Sequence, residues 1–356
     1  MARISRIFSA AGAEIVAKPF LVEEELSVLA QTCSEDWVRS LEAESLIVPG
    51  QKPSSLEILN GGRFYYTQAA WNAVHGTKGE AGCGLLKLRA KRGHASSETY
   101  GGPANNDKNL EPGMELYRSP GSDWCVRLWD FQGFDDIAIA FAGPILIGDT
   151  IGTGTTLAGV LGWLVDKMVA AKSVQDVHVF TIVGAAEWTR CAPGAASVSA
   201  GEAAEVAVSA SSSPDRGLLA KLEGVAAQLK EHGRQLTVAF CNATYGLGAN
   251  GTDLNPCPSL GAVWVPEGLN ALKDTLKNEG VVVDDSDCAS ADGSKFQLAD
   301  FKCGVWDWGD RFTKADVHLE EVFEYYEALG AKAPKFILDG LKERMRTRKE
   351  AKRART

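Results

Sequence analysis

Gly143-Pro144-Ile145-Leu146-Ile147-Gly148-Asp149-Thr150-Ile151-Gly152-Thr153-Gly154-Thr155-Thr156 is the stretch that decides the fold of this chain. Ile145 to Ile147 form a short apolar run of the kind that fills a buried strand, and Asp149 stands at its carboxyl end. A loop of Gly and Thr follows. Beyond it Leu157, Val160, Leu161, Leu164, Val165, Met168 and Val169 recur with the spacing of a helix core face. Strand, acid, hydroxyl-rich Gly loop and helix start together predict an anion pocket. Backbone N–H groups and the positive end of the helix dipole converge there on a phosphate, which small residues let approach closely. An ordinary strand-turn-helix with no ligand is the plain alternative.

The composition sets outer limits. A chain of 356 residues holds one large domain or two and buries a sizeable core. An apolar fraction of 45% with 23% charged residues is that of a soluble globular protein. A net charge of −9 argues against a general nucleic-acid coat but leaves room for a local basic patch. The eight Cys show no Cys-x-x-Cys pair, so reduced thiols in a cytosol are expected rather than a zinc ribbon or a disulfide scaffold. No apolar run approaches the roughly 18 residues of a membrane span. Arg3 and Arg6 precede a short apolar stretch that Glu14 interrupts, which speaks against a secretory signal and leaves a mitochondrial presequence as the alternative. Cytoplasmic localisation is the expectation.

The phosphate loop is neither of the two commonest kinds. A Walker loop needs Gly-Lys-Ser/Thr after four intervening residues, and no Lys lies between Gly143 and Lys167. A dinucleotide fingerprint would place a third Gly where Leu157 stands. The run resembles the 5-phosphoribosyl-1-diphosphate (PRPP) signature of the type I phosphoribosyltransferases: an apolar strand, two acids, three variable residues and Thr-Gly-x-Thr. The resemblance makes Ile145-Leu146-Ile147 the strand and Asp149 the second acid, with Gly148 in place of the first. It implies that Asp149 holds a ribose hydroxyl. Thr150, Gly152, Thr153, Gly154, Thr155 and Thr156 would complete the PRPP site and grip the 5′-phosphate.

A second strand-Gly-helix unit lies upstream. Leu56 to Leu59 reads as a strand, followed by Asn60-Gly61-Gly62-Arg63 and a helix from about Phe64 to Val74. It resembles the diphosphate loop of the 6-oxopurine (hypoxanthine-guanine) phosphoribosyltransferases, the nearest branch, and a plain Gly-Gly turn is the alternative. The next strand, Leu85 to Ala90, runs into Lys91-Arg92-Gly93-His94, where the family carries a basic or hydroxyl-rich flap over the diphosphate. Lys87, Arg89, Lys91 and Arg92 are candidate cations, and a solvated strand end is the other reading. Near the end, Gly304 to Phe312 resembles the family's base-binding segment. Trp306 or Trp308 would stack on the base and Asp310 would face magnesium, whereas alternate Trp residues also suit a half-buried strand.

Other features are less specific. Asp284, Asp285 and Asp287 suggest a calcium loop, but Ala289 fills its fifth position, so a solvated acidic turn is expected. Lys342, Arg344, Arg346, Arg348, Lys349, Lys352, Arg353 and Arg355 make a basic tail, read as a solvated helix end, a nucleic-acid contact or a segment docked on the protein itself.

The fold expected is α/β: a type I phosphoribosyltransferase-like parallel sheet flanked by helices, with a hood and large insertions. Residues 1–54 are expected as an N-terminal helical segment and 331–356 as the basic tail. Residues 55–330 would be the core, with insertions at 103–130 and 191–214. The activity implied is transfer of 5-phosphoribose from PRPP to a nitrogenous base, purine-like or modified, with release of diphosphate and Mg2+ as the cofactor, in a homo-oligomer. Gly152 stands where 6-oxopurine enzymes carry their acidic base, and Gly184 near where they carry Lys, which points away from ordinary hypoxanthine or guanine salvage. A non-catalytic PRPP or nucleotide sensor, which the basic tail would join to nucleic acid, is the alternative from another class. An N-glycosidic enzyme acting without PRPP is a third.

Overall fold

A computed structural model describes residues 2–48, 50–59, 64–76, 83–94, 112–118, 124–152, 154–185, 218–247, 254–255, 263–281 and 310–354. Its longer elements begin with β1 (Arg3–Ile7), α1 (Ala10–Ala17), α2 (Glu23–Ala43), β2 (Ser54–Leu59), α3 (Thr67–His75), β3 (Gly84–His94), β4 (Glu115–Arg118) and β5 (Trp124–Gln132). After these come β6 (Ile145–Gly148), α4 (Thr155–Ala170), β7 (Val177–Thr181), α5 (Leu218–Glu231) and β8 (Leu236–Cys241). The last are α6 (Pro266–Asn278), α7 (Ala315–Ala328) and α8 (Lys335–Arg353). The chain divides into two compact units, one of residues 1–7, 34–182 and 216–240, the other of residues 8–33, 183–215 and 241–356.

The first unit is an α/β sheet flanked by helices, eight strands in the order β1-β8-β7-β6-β2-β3-β5-β4. Strands β8, β7, β6, β2 and β3 are mutually parallel; β5 and β4 close one edge antiparallel. Strands buried on both faces should read as unbroken apolar runs, and Ile-Leu-Ile-Gly of β6, Val-His-Val-Phe-Thr of β7 and Leu-Thr-Val-Ala-Phe-Cys of β8 are buried throughout. Counted along the chain, the five parallel strands stand in the order 2-1-3-4-5. The chain steps from β2 out to β3 and then returns to β6 on the other side of β2. Open α/β sheets bind ligands beyond the carboxyl ends of the strands at such a reversal, and here it falls between β2 and β6.

Residues 103–130, expected as a surface insertion, supply β4 and most of β5, so they complete the sheet's edge rather than leave it. The sequence signal was obscured because β5 pairs antiparallel with a β3 that runs on through Lys91-Arg92-Gly93-His94. Helix α4 covers this edge through two glycines. A Cβ on Gly159 would lie 2.3 Å from Val126 Cγ2, and one on Gly162 would lie 2.1 Å from the Tyr117 hydroxyl. Each mid-helix Gly costs about 1 kcal/mol against Ala, offset here by close helix–strand packing. The N-terminal segment, expected as helical, also contributes the strand β1 at the opposite edge. The 191–214 segment lies outside the described residues.

In the second unit α1 packs on α6, and α7 on α8. Asn242, with φ 63°, is buried and doubly tied to Ser9: its Oδ1 accepts from the Ser9 N–H, and its Nδ2 donates to the Ser9 carbonyl, both at 2.8 Å.

Candidate functional site

The loop after β6 starts from a strand buried on both faces and ends on a 16-residue helix, so both of its ends are held. The Asp149 N–H donates to the Phe180 carbonyl at 3.0 Å, extending the β6–β7 ladder by one residue. Ile151 is buried, whereas Asp149, Thr150, Gly152, Thr155 and Thr156 are half-buried. The turn is therefore neither sealed in the core nor fully in solvent. Thr153 lies outside the described residues. Gly154 caps α4 with φ 73°, a left-handed conformation that L side chains rarely adopt, and a Cβ there would lie 2.5 Å from Leu218 Cδ1. Gly at this position is thus required twice over.

Asp149 Oδ1 accepts the Thr150 N–H at 2.8 Å; no further protein partner is found for the carboxylate among the described residues. Desolvation raises its pKa from 3.8 to about 7, and the Thr150 amide opposes that shift. A carboxylate so placed gains from any ligand that brings hydrogen-bond donors or a cation.

Tyr65 stiffens the loop from the side. Its ring is fully buried, edge-on to Phe180, which stacks on Trp37 at 5.1 Å between ring centroids. Its hydroxyl lies 3.1 Å from Thr150 Oγ1, and burial raises its pKa, so it remains a neutral phenol. The same ring explains Gly148. A Cβ at that position would sit 2.5 Å from Tyr65 Cβ and 3.1 Å from Thr67 Oγ1. A side chain at position 148 would meet the Tyr65 Cβ and the ring carbon attached to it, at 2.5 and 2.8 Å.

Asn60, Gly61, Gly62 and Arg63 lie outside the described residues, but the strand that leads to them is placed. β2 pairs with β6 in parallel register, Glu57 opposite Gly148, so the two Gly loops follow neighbouring strands at the reversal of strand order. The expected flap cations separate. Alternation along β3 puts Lys87, Arg89 and Lys91 on one face and Arg92 on the other. Lys87 pairs with Glu57 at 3.3 Å and Arg89 with Asp130 at 3.1 Å, while Lys91 is exposed. His178, in the middle of β7, is no acid–base candidate: burial pushes it down to about 4 and its Nδ1 meets Thr237 Oγ1 at 2.9 Å.

Trp306 and Trp308 lie outside the described residues. Asp310 begins a one-turn helix, Asp310–Thr313, of the second unit. Its neighbour Arg311 is buried and donates to the carbonyls of Leu21, at 2.7 and 3.0 Å, and of Lys18 at 3.0 Å. That guanidinium caps the end of α1. Among the described residues no group of three or more His, Cys, Asp or Glu stands close enough to hold a metal ion, and no helix is long and apolar enough to cross a membrane.

Two contributors carried no motif signal. Tyr65 stands two residues beyond the Asn60–Arg63 loop, with no signal of its own. Lys221 lies far along the chain, yet its Nζ donates to Thr155 Oγ1 at 2.8 Å. Comparison with known protein families, with curated proteins and with solved structures finds no match to this chain.

Proposed function

We propose that this chain is a type I phosphoribosyltransferase-like enzyme that transfers 5-phosphoribose from PRPP to a nitrogenous base, purine-like or modified, and releases diphosphate. One observation carries the reading. The two loops with phosphate-binding sequence follow the adjacent parallel strands β2 and β6, at the point where the strand order reverses. In this reading Gly152 to Thr156 grip the 5′-phosphate, and Asp149 accepts hydrogen bonds from a ribose hydroxyl. Asn60 to Arg63 receive the diphosphate, with Lys91 or Arg92 as the nearby cation. Binding energy from the remote phosphate holds the anomeric carbon in line with the base nitrogen. The Asp149 carboxylate lies on the side where positive charge develops as the sugar–diphosphate bond breaks.

Asp149 has one carboxylate oxygen that no described residue engages, so a magnesium ion that takes most of its ligands from the substrate would find a protein ligand there. Asp149 is the described residue that would hold it; Asp310, which the sequence resemblance assigns to magnesium, belongs to the second unit. Bound, it would neutralise charge on the departing diphosphate. Trp306 or Trp308 remains the proposed platform for the base.

A second reading, a PRPP or nucleotide sensor without turnover, draws on Gly148, where Tyr65 occupies the space of one ribose-side acid. One experiment separates the two. The protein is incubated with magnesium, PRPP and a panel of nucleobases, and diphosphate is assayed alongside PRPP binding. Diphosphate release with at least one base, lost in Asp149→Asn, is the expected result. Binding without release for every base favours the sensor, and no binding of PRPP overturns both.

A further inference from the structure

A Phe at position 65 would fill the core as Tyr does, so the phenol oxygen is what calls for an account. It is fully buried, and burying a hydroxyl costs free energy unless protein hydrogen bonds replace those of water. Its partners converge from the ends of two parallel strands. Thr150 Oγ1 lies 3.1 Å away beyond β6, and the Thr181 side chain and the Ile182 backbone reach it from the end of β7. The ring beneath that oxygen is clamped: Phe180 meets it edge-on at 6.0 Å between centroids, and Trp37 stacks on Phe180. Ser34 Oγ donates to the Tyr65 carbonyl and holds the main chain as well. The hydroxyl is thus a fixed point, and the residue it fixes outside the core is Thr150, next to Asp149.

We infer that Tyr65 is a positioning residue of the 149–156 site, one that acts on a bound sugar through Thr150 and Asp149 and touches no ligand itself. The inference rests on the ribose-phosphate reading of that loop. Two short links make the connection. Tyr65 holds the Thr150 hydroxyl, and the Thr150 N–H donates to Asp149 Oδ1 at 2.8 Å. With its side chain anchored, Thr150 keeps its amide aimed at the carboxylate, which therefore holds one orientation before a ribose hydroxyl arrives. Release of Thr150 weakens that amide bond. The carboxylate then samples other orientations and loses a donor that favours its charged form. Weaker sugar binding and protonation of Asp149 at a higher pH are the two consequences.

The test is calorimetric titration of ribose 5-phosphate into the full chain from pH 6 to 8. It compares the wild type with Tyr65→Phe, Thr150→Val, Thr150→Ser and the Tyr65→Phe/Thr150→Val double variant. The ligand's own phosphate ionisation is common to all of them, and among the described residues Tyr65, neutral throughout this range, is the titratable side chain whose environment includes Asp149. Tyr65→Phe and Thr150→Val are each expected to weaken binding at pH 7 by roughly 3- to 10-fold and to move its rise to higher pH. The double variant should be little weaker than either single one, because both remove the same link, and Thr150→Ser should bind as the wild type does. Losses that multiply in the double variant overturn the inference. So does a Tyr65→Phe protein with a lower thermal midpoint but the wild-type affinity and pH profile, which assigns the hydroxyl to the fold alone. If Tyr65→Phe does not fold, Thr150→Val decides, and an unmoved profile there overturns the inference. In each of these cases a loss of binding in Asp149→Asn leaves the loop reading standing. Failure of the wild-type chain to bind ribose 5-phosphate or PRPP overturns the loop reading itself.

Discussion

The loop at 149–156 and the segment at 304–312 carry the same kind of sequence signal, acids and small residues beside a basic or hydroxyl group, yet the chain uses them differently. At the first, Asp149, Thr150, Gly152 and Thr155 stay half-buried at the end of a parallel strand, and one carboxylate oxygen has no protein partner among the described residues. At the second, the charged side chain that is described, Arg311, is buried and spent on backbone carbonyls. A motif thus marks residue types, and burial with its partners decides whether they face a ligand or hold the fold. The two regions should therefore respond oppositely to mutation.

The largest effect is expected at Arg311. Replacing it with Met takes both guanidinium donors from the buried Leu21 carbonyl and one of two donors from the part-buried Lys18 carbonyl, whose other donor is the Leu21 N–H. A loss of about 3–4 kcal/mol of stability is expected in chemical denaturation. If Arg311→Met instead unfolds like the wild type and loses ligand binding, the contrast between the two regions fails, and the 304–312 segment belongs to the site.

Gly148→Asp sharpens the comparison from the other side, since it places an acid where the proposed reading would expect one. The Tyr65 ring leaves no room for it, so overpacking and a crowded carboxylate should cost about 2–3 kcal/mol. PRPP affinity is expected to fall, not rise. Tighter binding in a stably folded Gly148→Asp protein would show that Tyr65 moves aside.

How far the sequence could be read follows the same division. The β6 loop and α4 were legible because a strand buried on both faces, a Gly-Thr turn and a helical apolar face each have a local signature. The expected strands at 56–59, 85–90 and 236–241 were legible too, for the same reason. The antiparallel edge was not. Arg127 and Asp130 in β5 break up the apolar pattern because one face of that edge meets solvent, and pairing with β3 is a non-local fact. The Tyr65–Gly148 exclusion and the Lys221–Thr155 contact span 83 and 66 residues of chain, and no spacing rule reaches across such distances.

Asp149 gives a smaller effect with a distinctive pH dependence. Its folded pKa is about 7, well above the ordinary 3.8, so between those values the native chain holds a proton that the unfolded chain has released. Stability present at pH 4 is therefore lost as pH rises toward 7, and the loss levels off above it. Asp149→Asn removes the term and should be more stable than the wild type by about 1–2 kcal/mol at pH 8, with the gap closing toward pH 4. Ligand affinity of the wild type should run the other way and rise from pH 6 to 8, because a ribose hydroxyl favours the ionised carboxylate. A flat denaturation difference across this range would mean that Asp149 is better hydrated than its surroundings suggest.

The basic tail offers the finest test, because it contains charge of the internally used kind at the surface. On α8, Arg348 reaches Glu23 at 2.5 Å and Asp316 at 2.6 Å. Lys352 also meets Asp316, and Arg344 meets Glu25. The spacing of 344, 348 and 352 places these cations on one side of the helix, so docking on the protein itself explains that stripe without an external polyanion. Arg348, 21% exposed, is the least exposed of the three. Exposed pairs contribute little, and Arg348→Ala should cost about 0.5–1 kcal/mol in low salt and less at high salt, read by denaturation at two ionic strengths. A cost that grows with salt would assign Arg348 a packing role on its aliphatic stem. A cost of zero at both ionic strengths would release the stripe from internal duty and return it to the class of groups that face a partner.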